Sequence, residues 1–245
     1  MTTRGYEDRT YRSLVKDDRL ESFRVVVKET DLLIRAQRPL VRESRDLVLK
    51  HRMPLERYIG NHPEFVNQLT PCPYDPIAPP IVKTMVEAGQ KASVGPMGAV
   101  AGALAEYVGR DLLDYSPDVI VENGGDLFIK THFAVIVAIL AGPSPLTGKI
   151  GVRVHSEKSA VAVCTSSGTV GHSLSFGRAD AAVVISESAA VADAAATAIG
   201  NVVSNKAAIS AAMDFGGSIQ GVSGVVVVVE DKMGLWGDVE LVKLR

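Results

Sequence analysis

The spacing of apolar residues changes several times along the 245-residue chain, and each change marks an element. Residues 11–36 read as two strands around a polar turn: YRSLV, then KDDRLE, then SFRVVVKETDLLIRA, whose β-branched residues and short alternations suit an antiparallel hairpin. From Pro39 the period becomes helical, with Val41, Leu47, Leu49, Leu55 and Ile59 recurring among charges. Pro54 is the expected break in that helix, and a second helix is expected over 62–69. The five prolines of TPCPYDPIAPP mark an ordered loop or a connection between subdomains. Pro79 and Pro80 then open IVKTMVEAGQKA, and MGAVAGALAEYVG follows Val94-Gly95-Pro96.

The second half of the chain reads mainly as strands. DVIVE and DLFIKTHFAVIVAIL flank the tight turn NGG, and IGVRV, AVAVC and AAVVIS are further short strands. The alanine-rich stretch 188–205 predicts a long helix, continued or followed by another over 206–213, before a closing hairpin or pair of strands. Short strands joined by turns, with small-residue helices between them, predict an α/β fold of the α+β type built on mainly antiparallel sheets. The length allows a single domain over 1–245, or two intimately packed halves joined near 70–80.

Composition sharpens the picture of the core. Hydrophobic residues make up 47% of the chain but aromatics only 5%, so Val, Ala, Leu and Ile must fill it in close-packed layers. The net charge of -2 provides no broad field for a polyanion and argues against a nucleic-acid partner. Arg35, Arg38, Arg42, Arg45, Lys50, Arg52 and Arg57 alternate with Glu43, Asp46 and Glu56, the pattern of a solvated face. Cys72 and Cys164 imply no disulfide framework. The longest uncharged apolar run, 133–141, is far short of the roughly 20 residues of a spanning helix. With no apolar leader read at the start, the expectation is a cytoplasmic protein without a membrane partner. The small-residue helices and valine-rich tail predict a homodimer interface.

Four segments hold the candidate chemistry. In GPMGAVAGALAEYVG, Gly98 and Gly102 share one helix face, which serves either close helix packing or the approach of a flat ligand. Glu122-Asn123-Gly124-Gly125-Asp126 is a hairpin turn in which acids and an amide bracket two residues without side chains. In the helix, Asp193, Thr197, Asn201 and Asn205 recur at intervals of four, so one polar stripe faces a pocket, a bound ion or satisfying loops. Asp193 is the best candidate for a hard-cation ligand. The stretch from Thr165 through Ser166, Ser167, Gly168, His172 and Ser173 to Asp180 is a hydroxyl- and glycine-rich loop suited to phosphates or polar ligands. It has no G-x-S-x-G elbow, which argues against a serine hydrolase. The remaining histidines lack metal-site spacing.

Taken in order, GPMGAVAGALAEYVG, VIVENGGDLFI, AVCTSSGTVGHSLSFGRADAAVVIS and AAVADAAATAIGN resemble the bacterial and archaeal uncharacterised protein family 0280, a branch of the ApbE-like superfamily. ApbE enzymes are FAD:protein FMN transferases that bind flavin and Mg²⁺. The resemblance implies that Gly95, Gly98, Asn123 to Asp126, Thr165 to Gly168, His172 and Ser173 line a cleft for a small-molecule or nucleotide ligand, FAD or FMN. It also implies that Asp193 and Thr197, matching Ala-Asp-Ala-x-Ala-Thr, are metal ligands for Mg²⁺. The transferase's Gly-Ile-Ala-Lys-Gly segment is replaced by Gly98 to Ala105, and its His-Ile-Ile-Asp-Pro and Thr-Gly element by His172 to Asp180. The resemblance therefore extends to the fold and a ligand cleft further than to FMN transfer. For the branch it also implies a link to sulfide assimilation and homocysteine formation in anaerobes. A non-catalytic homodimeric scaffold is the remaining reading.

Overall fold

A computed structural model describes residues 19–168 and 177–244. The chain opens with the hairpin β1 (Glu21–Val27) and β2 (Thr30–Ala36), followed by α1 (Val41–Asn61), α2 (Pro80–Ala92) and α3 (Val100–Leu112). The strands β3 (Val119–Asn123), β4 (Asp126–Lys130), β5 (Val135–Ala138), β6 (Ile150–Val154), β7 (Val161–Ser166) and β8 (Ala181–Ser186) come next. The chain then forms α4 (Ala189–Val202), α5 (Ile209–Ser218), β9 (Val222–Val229), β10 (Lys232–Gly237) and β11 (Glu240–Lys243). Eight strands form one sheet in the order β1-β2-β3-β4-β7-β8-β9-β10, and β11-β6-β5 form a second. Adjacent strands pair antiparallel throughout.

Why the central strands lack alternating polarity is clear from what covers them. Helices α1 to α5 lie over one face of the large sheet, while the three-stranded sheet backs the other. Along β9, Val225, Val227 and Val229 face the helices, and Val226 and Val228 face the small sheet. A strand buried on both sides reads as a continuous apolar run. Under the helices, β-branched strand residues meet the alanines of α4, ten of whose residues are buried. This is the small-residue core expected from the scarcity of aromatics.

Four elements depart from the sequence expectation. The first turn lies at Lys28–Glu29, with Lys28 at φ 53°, so both strands of the hairpin fall within SFRVVVKETDLLIRA. YRSLV lies outside the described residues. Pro54 does not break α1, which runs on to Asn61, and Val48 and Leu55 stay buried on either side of it. Packing on the sheet and on α3 thus overrides the local cost of proline. The helix expected over 62–69 is only a single 3₁₀ turn, Pro63–Asn67. The run DLFIKTHFAVIVAIL is also two strands in different sheets. At the break, Thr131 N–H donates to Ser156 Oγ at 3.0 Å and His132 N–H to Asp118 Oδ1 at 2.7 Å. Those side-chain acceptors lie far away in sequence, so hydropathy does not reveal the corner.

Candidate functional site

Three of the four segments singled out from the sequence converge on the helix-covered face of the large sheet. The β3–β4 turn is held by Gly124 and Gly125, with φ of 70° and 110°, which aligns Asn123 opposite Asp126. Positive φ at both central residues is the signature of the two-residue hairpin turn. Asn123 is buried and its Nδ2 donates to Ala101 O at 3.0 Å, tying the turn to the start of α3. Glu122 leaves the opposite face of the strand, and its Oε1 accepts from Gly125 N–H at 3.1 Å.

Asp126 points under the helices with its strand neighbour Phe128 and is 7% exposed. Among the described residues its Oδ1 has no hydrogen-bond partner. Burial, then the nearby Asp193 carboxylate, raises the Asp126 carboxyl well above its usual range, against the pull of Cys164 and the Thr165 N–H. Asp193, on α4, accepts from Gly102 N–H through Oδ2 at 2.9 Å. Burial lifts it to about 7, opposed by the N–H groups of Gly102 and Ala101. Cys164 is fully buried beside both acids, its Sγ donating to Ala189 O at 3.4 Å, and burial pushes its thiol well up. Burial therefore favours the neutral thiol.

The glycines divide into two roles. A Cβ on Gly102 would lie 2.1 Å from Ala189 O and 2.8 Å from Asp193 Cβ, so α3 and α4 touch through backbone there. A Cβ on Gly98 would meet Thr197 at 3.6 Å, which places this 3₁₀ turn (Pro96–Ala99) beside the second residue of the stripe. Gly95 serves a different contact: its N–H donates to Leu69 O at 2.9 Å, and a Cβ would meet Gln68 O at 1.7 Å. It clamps the proline-rich loop.

Thr165 and Ser166 end β7, and a Cβ on Gly200 of α4 would lie 3.4 Å from Ser166 Oγ. Ser167 follows them, and Gly168 lies farther off, lining a recess of about 330 Å³ with Arg178, Asp180 and Asn205 among others. His172 and Ser173 lie outside the described residues, as does Phe176. Tyr107 turns to α1 and α2, with its hydroxyl 2.9 Å from Thr84 Oγ1 and its ring against His51. Of the polar stripe, Asp193, Thr197 and Asn201 lie on α4, whereas Asn205 lies beyond it and accepts from Ala207 N–H at 2.8 Å.

Sequence reading passed over Glu106. It is the single charge between Pro96 and Gly109, and that isolation was the available signal. Its Oε2 accepts from Ser188 Oγ at 2.9 Å, Ala189 N–H at 2.7 Å and Ala190 N–H at 3.4 Å.

Comparison with known proteins bears on the family and the fold. A family model described as AbpE bacteria matches residues 12–229. A UPF0280 protein of Methanocaldococcus jannaschii is 42% identical over 227 residues, covering 90% of this chain and 92% of its own. One from Methanopyrus kandleri is 40% identical, covering 88% and 90%. Among solved structures, a variant of the flavin transferase ApbE from Vibrio cholerae superposes with a TM-score of 0.54 at 12% identity, covering 89% of this chain and 96% of its own. The apo flavinyl transferase ApbE of Pseudomonas stutzeri does so at 0.53 and 13%, covering 89% and 94%. At those identities the likeness is one of fold. With relatives this similar over nine-tenths of its length, the chain belongs to the UPF0280 family of ApbE-like proteins.

Proposed function

We propose that this chain binds a flavin nucleotide, FAD or FMN, together with Mg²⁺ in the cleft between the β3–β4 turn, the end of β7, the 96–101 segment and α4. The observation that carries the reading is the pair of acids Asp126 and Asp193. Two carboxyls that raise the cost of ionising one another, one with a buried oxygen that no described residue pairs, are an expensive arrangement unless a cation relieves it. The structural neighbours named as flavin transferases supply the ligand class.

The donor set fits a hard cation. Asp193 and Thr197 offer a carboxylate and a hydroxyl one helical turn apart, Asp126 offers its Oδ1, and Gly98 lies beside Thr197. Mg²⁺ held there would neutralise the acids and the phosphates of the nucleotide together. Among the described residues no group of three or more His, Cys, Asp and Glu is placed to hold a metal alone. Water and ligand phosphates must complete the shell, so Mg²⁺ binds weakly without the nucleotide.

Titration of FMN and FAD fluorescence with the purified protein, with and without Mg²⁺, tests this. Saturable quenching that needs Mg²⁺ in wild type and loses that need in Asp193→Asn is expected. Equal, metal-independent binding by both proteins, or no binding by either, overturns the reading.

A further inference from the structure

We propose that Glu106 is the positioning residue of this cleft: from α3 it caps the N-terminus of α4 and thereby sets where Asp193 stands. The inference rests on the nucleotide reading of the cleft. The first N–H groups of a helix have no partner within it. In α4, Ala189 and Ala190 N–H are taken by Glu106 Oε2, and Val191 N–H by Ser188 Oγ at 3.4 Å. Ser188 in turn donates its hydroxyl to the same Glu106 oxygen. Ala192 N–H is the first with an acceptor on its own helical segment, Ser188 O at 3.0 Å. The whole start of α4 is thus built around one carboxylate from another helix.

The contact is reciprocal. Asp193 of α4 accepts from Gly102 N–H in the first turn of α3, so each helix caps the other with an acid. Gly102 and Glu106 are four apart on α3, and Ala189 and Asp193 are four apart on α4, so both pairs lie one turn apart on the facing surfaces. Backbone contact at Gly102 against Ala189 O leaves no slack between them. A charge-assisted bond to a helix N-terminus is favourable and directional. An apolar residue at 106 would fill the same space, but it would not fix the rotation and height of α4. Those two quantities decide where Asp193 meets the cleft. The other Glu106 oxygen accepts from exposed Arg110 Nη2 at 2.8 Å, a bond that does not touch α4.

Two readouts test the inference, one of them independent of any ligand. The first is amide hydrogen exchange in wild type, Glu106→Leu, Glu106→Gln and Arg110→Ala. Glu106→Leu is expected to speed exchange about tenfold at Ala189 and Ala190 and also at Gly102, whose N–H is held by Asp193 of α4, with Val226 and Val227 unchanged. Glu106→Gln, which keeps shape and one acceptor, should shift the same amides less, and it serves if the leucine variant does not fold. The second readout is the Mg²⁺ concentration for half-maximal FMN quenching. It is expected to rise about tenfold in Glu106→Leu and to stay within about twofold in Arg110→Ala. Gly102 remaining as protected as in wild type while Ala189 and Ala190 exchange faster overturns the positioning role. If wild type binds neither FMN nor FAD, the function proposed above fails and the exchange pattern still decides the role of Glu106.

Discussion

The contact between α3 and α4 has two ends, each governed by a carboxylate, and they are finished differently. At the Glu106 end, the hydroxyl, the helix N–H groups and a guanidinium use both oxygens. One turn away, Asp193 is capped on one oxygen and faces Asp126, which is buried with Oδ1 unpaired among the described residues. The first end is a finished structural joint. At the second, one buried oxygen has no partner among the described residues, and it is on that oxygen that the proposed cation site rests. Within one helix pair, the polar inventory separates what holds the fold from what the fold holds ready.

The sharpest way to break this comparison is to separate the helices. Gly102→Val puts side-chain atoms where Ala189 O and Asp193 Cβ already stand. It should lower stability by about 3 kcal/mol, measured by urea unfolding, and abolish Mg²⁺-dependent nucleotide binding.

Removing the charge at the open end leaves the joint in place. Asp193→Asn should weaken Mg²⁺ dependence at least about tenfold in calorimetric titration while the melting temperature stays within about 4 °C of wild type. A large fall in melting temperature with unchanged ligand affinity would mark Asp193 as purely structural.

The pH dependence should show the same asymmetry, spread over several units and so smaller at any one pH. Asp126 and Asp193 both have raised values, so the folded chain keeps protons that the unfolded chain has lost. Their contribution is most favourable below the usual 3.8 and is lost as pH rises, for Asp193 over the window from 3.8 to about 7. Without Mg²⁺, unfolding free energy should therefore carry a component that falls with pH across that window, flatter in Asp126→Asn. Mg²⁺ with FMN should bind more tightly as pH passes about 7, because a cation favours the ionised acid. A pH profile of Asp126→Asn superimposable on wild type would contradict the coupling of the two acids.

Asn205→Ala should do least. This residue caps the turn after α4 rather than extending the stripe, so about 1 kcal/mol of stability and no change in nucleotide affinity are expected from parallel unfolding and quenching titrations.

Legibility in the sequence followed the range of the interactions. The NGG turn, the apolar strands, the Ser188 boundary of α4 and the α+β class all come from local signals and were readable. Asp193 and Thr197 were readable as a pair because a helix keeps residues four apart on one face. Asn205 was misassigned for the same reason, since periodicity continues on paper past the point where the helix stops at Val202. Pro54 shows the converse, a local break signal overridden by burial on either side. Glu106 was visible only as an isolated acid, because its partners on α4 begin 82 residues later.

By itself, then, the sequence determined the elements and the small-residue core, since these depend on side-chain volume and on spacings of two, three or four residues. It also placed an acid and a hydroxyl one turn apart on α4. Only the tertiary structure decided that Asp126 and Asp193 share one low-dielectric space and that α3 and α4 cap each other. It alone also moved Tyr107 to the far side of α3. Those outcomes depend on which strands pair and how closely two backbones approach at Gly102, and contacts of that range leave no periodic trace in a single chain.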